Sequence, residues 1–186
     1  MNQVRFILLL IATLLLSCGK VDPPAQTPKT TARITVLCIG GLSDDCTLPI
    51  YTAIKERCQP DVDVIQIAPK DAYRVDVDAY LKANPPGQKL VLIGHSWGTN
   101  RAAVTASNHH TSLAVMIDPV AWHGDMFALP ADVEKCFVYY RSQAFGPVTA
   151  SVFGPVTQTK TIQGDHGSIC FNAELIGEIV EAVNGL

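Results

Sequence analysis

The most constraining feature of this sequence is an apolar run that leads directly into a Gly-x-Ser-x-Gly pentapeptide. Residues 90–93 read Leu-Val-Leu-Ile, and residues 94–98 read Gly-His-Ser-Trp-Gly. A short continuous apolar run is typical of a buried parallel strand, and the alanine-containing stretch at residues 100–106 favours a helix. The order therefore predicts a strand, a sharp turn with Ser96 at its tip, and a helix.

The two glycines of the pentapeptide fit such a turn. Gly94 and Gly98 carry no Cβ, so the strand and the helix can pass close to each other. Ser96 would then be held in a strained backbone conformation, with its hydroxyl at the carboxyl edge of a sheet. The alternative is a chance match in a surface loop, and the strand and helix patterns on either side argue against it.

The rest of the chain alternates predicted strands with predicted helices. The predicted strands are residues 34–39, 62–67, 90–93, 113–119, 135–141 and 159–163. The predicted helices are residues 48–57, 72–83, the stretch after the pentapeptide to about residue 108, and residues 171–183. This alternation predicts an α/β fold with a doubly wound, mostly parallel sheet of about six strands.

Two further side chains are expected at the same sheet edge as Ser96. His166 follows the last predicted strand, and the carboxyl ends of parallel strands meet at one edge. It can act as the base that a serine nucleophile needs, although a surface histidine is the plain alternative. Asp118 ends the strand after the pentapeptide helix and can orient the imidazole, or it can simply form a turn before Pro119. Asp125 is the alternative acid.

The pentapeptide and the order Ser96, Asp118, His166 resemble the α/β-hydrolase family. The resemblance covers residues 33–186 and is to the small lidless lipases and esterases. The acid lies one strand early, as in thioesterase-like members; its more common position would fall within residues 142–158, which contain no Asp or Glu. The resemblance implies a minimal α/β-hydrolase fold.

The same resemblance implies a chemistry. It implies a serine hydrolase that cleaves a carboxylic ester or thioester through an acyl-enzyme on Ser96, with Asp118 and His166 completing the triad. The backbone N–H groups of Trp97 and of Leu42 would form the oxyanion hole, with the N–H of Gly41 as the alternative to that of Leu42. No cofactor is implied, and we expect no metal site because no Cys-x-x-Cys pair occurs.

Other functions remain open alternatives. A lipid-anchored binding or envelope protein could keep this fold without turnover. The same triad could also hydrolyse amides or transfer an acyl group to an acceptor other than water. The expected substrate is a small-molecule or lipid acyl ester. The formal net charge of −3 and the lack of a basic stripe argue against nucleic acid as a partner.

The amino terminus predicts export and lipid anchoring. Residues 1–17 contain Arg5 followed by an apolar run, residues 6–16, that is too short to span a bilayer. The sequence Leu-Leu-Ser-Cys-Gly around Cys18 resembles a bacterial lipobox, in which the cysteine is lipid-modified. Residues 18–32 hold several prolines and threonines and predict a flexible tether. The expected location is the bacterial cell envelope, with secretion as the alternative.

Five cysteines follow this proposed anchor. Export to an oxidising compartment permits disulfides, and an odd number leaves at least one free thiol. Cys38 lies inside an apolar strand and is the expected buried free thiol. The pairings expected first are Cys46 with Cys58, and Cys136 with Cys170.

Overall fold

The computed structural model describes residues 33–42, 46–68, 76–120, 127–143 and 147–186. The predicted signal peptide, Cys18 and the predicted tether lie outside the described residues. Asp125, the alternative acid, also lies outside them. Among the helices of the described part of the chain, none has the length and apolar character needed to cross a membrane.

Six strands form one sheet in which every neighbouring pair is parallel. Its strands are β1 (Ile34–Ile39), β2 (Val62–Ile67), β3 (Lys89–His95), β4 (Leu113–Ile117), β6 (Cys136–Arg141) and β8 (Val156–Ile162). The spatial order is β2-β1-β3-β4-β6-β8. All residues of β1 and β4 are buried, which explains why both strands appear in the sequence as continuous apolar runs.

Helices cover both faces of the sheet. They are α1 (Leu48–Arg57), α2 (Val77–Ala83), α3 (Gly98–Asn108) and α4 (Ala173–Asn184). One apolar core packs α1 and α4 against one face, and a second core packs α2 and α3 against the other. This confirms the predicted α/β class, with a doubly wound, parallel sheet of six strands.

A smaller sheet lies in a region that the sequence predicts as loop. Strand β5 (Phe127–Ala128) pairs in parallel with β7 (Val152–Phe153). Val120, just after β4, also forms an antiparallel bridge with Thr149. These contacts hold the segment between β6 and β8 to Val120 and to strand β5.

The predicted helix at residues 72–83 begins later than expected. Residues 72–75 lie outside the described part, and Asp76 is extended, with φ −75° and ψ 99°. Its carboxylate accepts a hydrogen bond from the N–H of Ala79 at 3.0 Å, so it caps the helix that starts at Val77. The sequence predicts an earlier start because apolar residues also occur upstream of Asp76.

The last two elements also differ from their predicted bounds. Strand β8 begins at Val156, three residues before the predicted start. The residues added to it directly follow a Gly-Pro pair, so the sequence predicts a loop there. Helix α4 begins at Ala173, after the side chain of Asn172 caps it and a short 3₁₀ turn, Ile169–Phe171, precedes it. Phe171, the first residue of the predicted helix, ends the 3₁₀ turn instead and is 65% exposed.

The predicted cysteine pairings are wrong. Cys46 is bonded to Cys170, with a Cα–Cα distance of 5.3 Å, while Cys58 and Cys136 are free. Cys46 precedes α1 and Cys170 lies in the 3₁₀ turn, and the packing of α1 beside α4 brings the two together. The prediction that Cys38 is a buried free thiol is confirmed, and burial raises the pKa of this thiol.

Candidate active site

Ser96 lies at the tip of the turn between β3 and α3, in a conformation that is rare for a residue with a side chain. Its φ is +55°. Its N–H donates to the carbonyl of Ile117 at 3.0 Å, which extends the sheet ladder by one step. The hydroxyl of Thr99 donates to the Ser96 carbonyl at 2.6 Å. Contacts on both sides therefore hold the strained turn in place.

Close backbone packing explains the glycines around this serine. A Cβ on Gly94 would lie 2.7 Å from backbone atoms of Thr99, and a Cβ on Gly98 would lie 2.2 Å from the carbonyl oxygen of Ile39. A Cβ on Gly41 would lie 2.9 Å from the Ser96 Cβ. The loop after β1 therefore lies directly against the serine.

The structure brings Ser96, His166 and Asp118 together in one line of hydrogen bonds. The Ser96 hydroxyl lies 2.8 Å from His166 Nε2. His166 Nδ1 lies 2.5 Å from Asp118 Oδ2. A carboxylate can only accept, so Nδ1–H donates to Asp118, and Nε2 is left to accept the serine proton. All three residues follow the carboxyl ends of their strands, as the sequence predicts.

Asp118 is fully buried in a second strained turn. Its φ is +41°, and its N–H donates to the carbonyl of Tyr139 at 2.7 Å. Burial alone would raise the pKa of this carboxyl, but the hydrogen bonds and charges of His166 and Arg141 outweigh it and hold the pKa below its usual value. Asp118 therefore stays ionised beside the imidazole.

The loop that carries His166 has its own internal support. Asp165 Oδ1 accepts hydrogen bonds from the N–H groups of Gly167 and Ser168, at 3.0 and 2.8 Å. The Asp165 N–H donates to the Ser168 hydroxyl at 2.9 Å, and the bonds from Ser168 lower the pKa of Asp165. Asp165 thus fixes the shape of the loop. Within the described part of the chain, its carboxylate forms no hydrogen bond to the imidazole nitrogens of His166.

His95, the last residue of β3, contacts both the ring and the backbone of His166. Its ring is fully buried and lies 4.8 Å from the His166 ring. Its Nε2 lies 2.9 Å from the His166 carbonyl oxygen, and because a carbonyl only accepts, Nε2–H is the donor. Sequence reasoning treated this position as a variable residue of the pentapeptide. Nothing in the local pattern indicates its partner, which is 71 residues away.

Arg141 was also missed. It is the last residue of β6, and its guanidinium forms an ion pair with Asp118 through Nη1. A signal existed, because residues that end neighbouring parallel strands lie at the same sheet edge. The strand pattern does not, however, indicate that a cation at this edge pairs with Asp118.

One group of residues in the described part has metal-like spacing. Ligand atoms of Cys46, His95 and Cys170 all lie within 4.8 Å of one another and are buried. The two sulfur atoms are bonded to each other, so neither offers the thiolate that a metal ion requires. In this oxidised form the group is a structural support beneath the His166 loop.

The two residues predicted for an oxyanion hole flank the serine. Trp97 directly follows Ser96 and precedes the first turn of α3. Leu42 follows Gly41 in the loop after β1, and its side chain is half exposed. Their backbone N–H groups remain predicted oxyanion donors.

Comparisons with known proteins reveal likeness of structure only. No protein-family model matches the chain, and no curated protein matches its sequence. An uncharacterised protein from Bacillus cereus ATCC 10987 matches with a TM-score of 0.51 and 11% identity, over 94% of this chain and 67% of that one.

Two further solved structures are similar at lower scores. The esterase domain of a Rhodothermus marinus protein has a TM-score of 0.48 and 14% identity, over 88% of each chain. Est1E from Butyrivibrio proteoclasticus has a TM-score of 0.49 and 11% identity, over 85% of this chain and 88% of that one. The match to the Bacillus cereus protein concerns the fold alone, so a function must be argued from the geometry of the site.

Proposed function

We propose that this chain is a serine hydrolase that cleaves a carboxylic ester or thioester through an acyl-enzyme on Ser96. The observation that carries the proposal is the line of hydrogen bonds from Ser96 through His166 to Asp118, at 2.8 and 2.5 Å. Two of these three residues have positive φ angles without being glycine. Such strain persists where the surrounding structure enforces it, and it clusters at active sites.

Acylation follows from these positions. The Ser96 oxygen bonds to the acyl carbon while its proton passes to His166 Nε2, and the carbonyl electron pair moves onto the carbonyl oxygen. The intermediate then collapses, and the leaving alcohol or thiol takes the proton from Nε2. Asp118 accepts from Nδ1 throughout and stabilises the imidazolium that forms.

Deacylation repeats the sequence with water as the nucleophile. Water gives a proton to His166 Nε2 and its oxygen bonds to the acyl carbon. When the second intermediate collapses, the Ser96 oxygen leaves and recovers the proton. The products are a carboxylic acid and the free enzyme.

The oxyanion of each intermediate needs hydrogen-bond donors. The N–H groups of Trp97 and Leu42 are proposed for this role, and the amino terminus of α3 adds a favourable dipole at the same place. The close approach of Gly41 to Ser96 supports the assignment, because it brings the loop that carries Leu42 beside the reacting oxygen.

Hydrolysis of p-nitrophenyl esters of increasing acyl length tests the proposal and narrows the substrate. We expect turnover by the wild-type protein and a loss of at least about 10⁴-fold in kcat for Ser96→Ala. Ser107→Ala is the matched control, since Ser107 lies in the helix that follows Ser96 and its hydroxyl donates to the Ala103 carbonyl of the same helix. Activity confined to short chains would favour an esterase over a lipase.

Two outcomes would overturn the proposal. A folded wild-type protein that hydrolyses none of these esters, nor the corresponding thioesters, would support a binding protein that retains the fold. Turnover that survives in Ser96→Ala would place the chemistry elsewhere.

We further propose that Cys18 carries a lipid anchor, so that the enzyme acts at the bacterial cell envelope. The lipobox-like sequence motivates this, and the Cys46–Cys170 disulfide supports an oxidising compartment. Mass spectrometry of the mature protein should detect a lipidated amino-terminal Cys18. A mature chain that begins elsewhere, without lipid, would contradict the anchor and leave the hydrolase proposal intact.

A further inference from the structure

The end of β6 holds a buried cation against the proposed triad. Arg141 has a side chain that is only 7% exposed, and Asp118 is not exposed at all. Here an arginine occupies the end of β6, and the acid lies on the neighbouring β4.

The guanidinium of Arg141 has partners on three sides. Nη1 donates to Asp118 Oδ2, Nε donates to the Gln143 carbonyl at 2.9 Å, and Nη2 donates to the Pro147 carbonyl. These bonds connect the buried acid to the segment that leads from β6 to β8. The forked shape of the guanidinium allows one side chain to fix all three groups.

The same nitrogen also faces the proposed base. Arg141 Nη1 lies 3.4 Å from His166 Nδ1, and both N–H groups converge on one oxygen, Asp118 Oδ2. Asp118 Oδ1 receives no hydrogen bond within the described part of the chain. The imidazole and the guanidinium therefore share a single acceptor atom.

The charged and titratable groups around the imidazole come from four strand ends. Asp118 follows β4, Arg141 ends β6, His95 ends β3, and Asp165 precedes His166 in the loop after β8. Arg141 is the only permanent cation among these four. Its charge opposes the positive charge that His166 acquires on protonation, while the Asp118 carboxylate favours it.

We propose that Arg141 is a positioning residue for Asp118 and that its positive charge offsets the attraction of this carboxylate for a charged imidazole. This inference rests on the proposed function. Removing the guanidinium would leave Asp118 less firmly held, and its full negative charge would then act on the imidazole alone. An imidazolium cannot accept the serine proton, so reaction at Ser96 in a neutral variant would require a higher pH.

The rate of labelling by a fluorophosphonate probe, measured across pH, tests the inference without a known substrate. The probe reacts with a serine only when the base is unprotonated. The variants are Arg141→Gln, Arg141→Met and Arg141→Lys, with Arg33→Gln as the matched control. Arg33 is paired with Asp61 at the opposite end of the sheet, so its loss leaves the site untouched.

We expect the neutral variants to differ from wild type in two ways. The midpoint of the acid limb should move to higher pH, because the Asp118 carboxylate then acts on the imidazole without an opposing cation. The limiting rate at high pH should fall by about 10- to 100-fold because Asp118 is less well fixed. Arg141→Lys should keep the wild-type midpoint but lose rate, since lysine retains the charge without the fork. Arg33→Gln should match wild type.

Circular dichroism across the pH range separates folding from function. Either neutral variant suffices if its spectrum matches wild type. If neither folds, Arg141→Lys decides: an unchanged midpoint with a reduced rate supports the inference, and a wild-type rate overturns the positioning role.

Failure of the inference and failure of the proposed function give different results. A labelled wild type together with an unmoved midpoint in a folded neutral variant would overturn the inference alone. A folded wild type that is unlabelled at every pH would overturn the proposed function and this inference with it.

Discussion

Removal of the disulfide between Cys46 and Cys170 is expected to destabilise the whole domain. The bond joins residues that are 124 positions apart, and it connects the loop before α1 to the turn before α4. In the chain-entropy model, closing a loop of this length stabilises the folded state by about 5 kcal/mol. Because a domain is typically stable by about 5–15 kcal/mol, this is a large share of the total.

The loss of unfolding free energy should be smaller than this chain-entropy value, because a compact unfolded chain has less entropy to lose. We expect the Cys46→Ala/Cys170→Ala double variant to lose about 3–5 kcal/mol of unfolding free energy. Both cysteines are buried in the core between α1 and α4, so the lost sulfur atoms add a small packing term. Labelling of Ser96 by a fluorophosphonate probe should slow as well, because Cys170 is only four residues after His166 and anchors its loop.

Urea denaturation at 25 °C, followed by circular dichroism, measures this loss. The series comprises the oxidised wild type, the wild type treated with dithiothreitol, the double variant, and Cys58→Ala as a control. Cys58 is a free, half-buried thiol at the end of α1. A loss below about 1 kcal/mol in the double variant, or an equal loss in the control, would refute the reasoning.

Two further predictions concern the turn and the buried acid. Gly98→Ala should destabilise the fold by about 3 kcal/mol, because the new Cβ would lie 2.2 Å from the Ile39 carbonyl oxygen. A Cβ added at Gly177 in α4 would have no neighbouring atom within 4 Å, so Gly177→Ala should instead stabilise the fold by about 0.5–1 kcal/mol. Chemical denaturation of both variants measures these two changes in unfolding free energy. The pKa of Asp118 is lowered on folding, so its carboxylate stabilises the fold above its usual pKa of about 3.9, and this stabilisation is lost as pH falls through the lower folded value. The stability difference between wild type and Asp118→Asn should therefore shrink as pH falls towards 2 in thermal unfolding, and a difference independent of pH would contradict the assignment.

The sheet could be predicted from the sequence because its central strands are buried on both faces. Strands β1, β3 and β4 are short apolar runs between polar turns, and this pattern marks their positions closely. The start of the edge strand β8 was missed, since Val156, Thr157 and Gln158 directly follow a Gly-Pro pair and none of the three is fully buried. The hydrophobic pattern of the sequence therefore marks strand bounds well for fully buried strands, and less well for a strand at the edge of the sheet.

The serine, the histidine and the acid could be placed for a topological reason. Each follows a recognisable parallel strand, and parallel strands end at one edge, so no knowledge of loop conformation is needed to bring them near each other. His95 and Arg141 could not be assigned in this way. Their roles depend on which carbonyl or carboxylate lies within about 3 Å, and that follows from the packing of elements that are distant in sequence.

The disulfide illustrates the same limit. Five cysteines permit many pairings, and sequence alone cannot fix which of them form. The actual bond depends on α1 and α4 packing side by side on one face of the sheet. That arrangement is a property of the chain's handedness and core packing, which no single segment encodes.

The most direct test of the account is to identify the residue that a fluorophosphonate probe modifies, by peptide mapping and mass spectrometry of the folded wild-type protein. We predict one adduct per chain, on Ser96, and its absence in His166→Ala at the same labelling time. An adduct on another residue, or equal labelling of Ser96 when His166 is removed, would contradict the claim that the imidazole activates this serine.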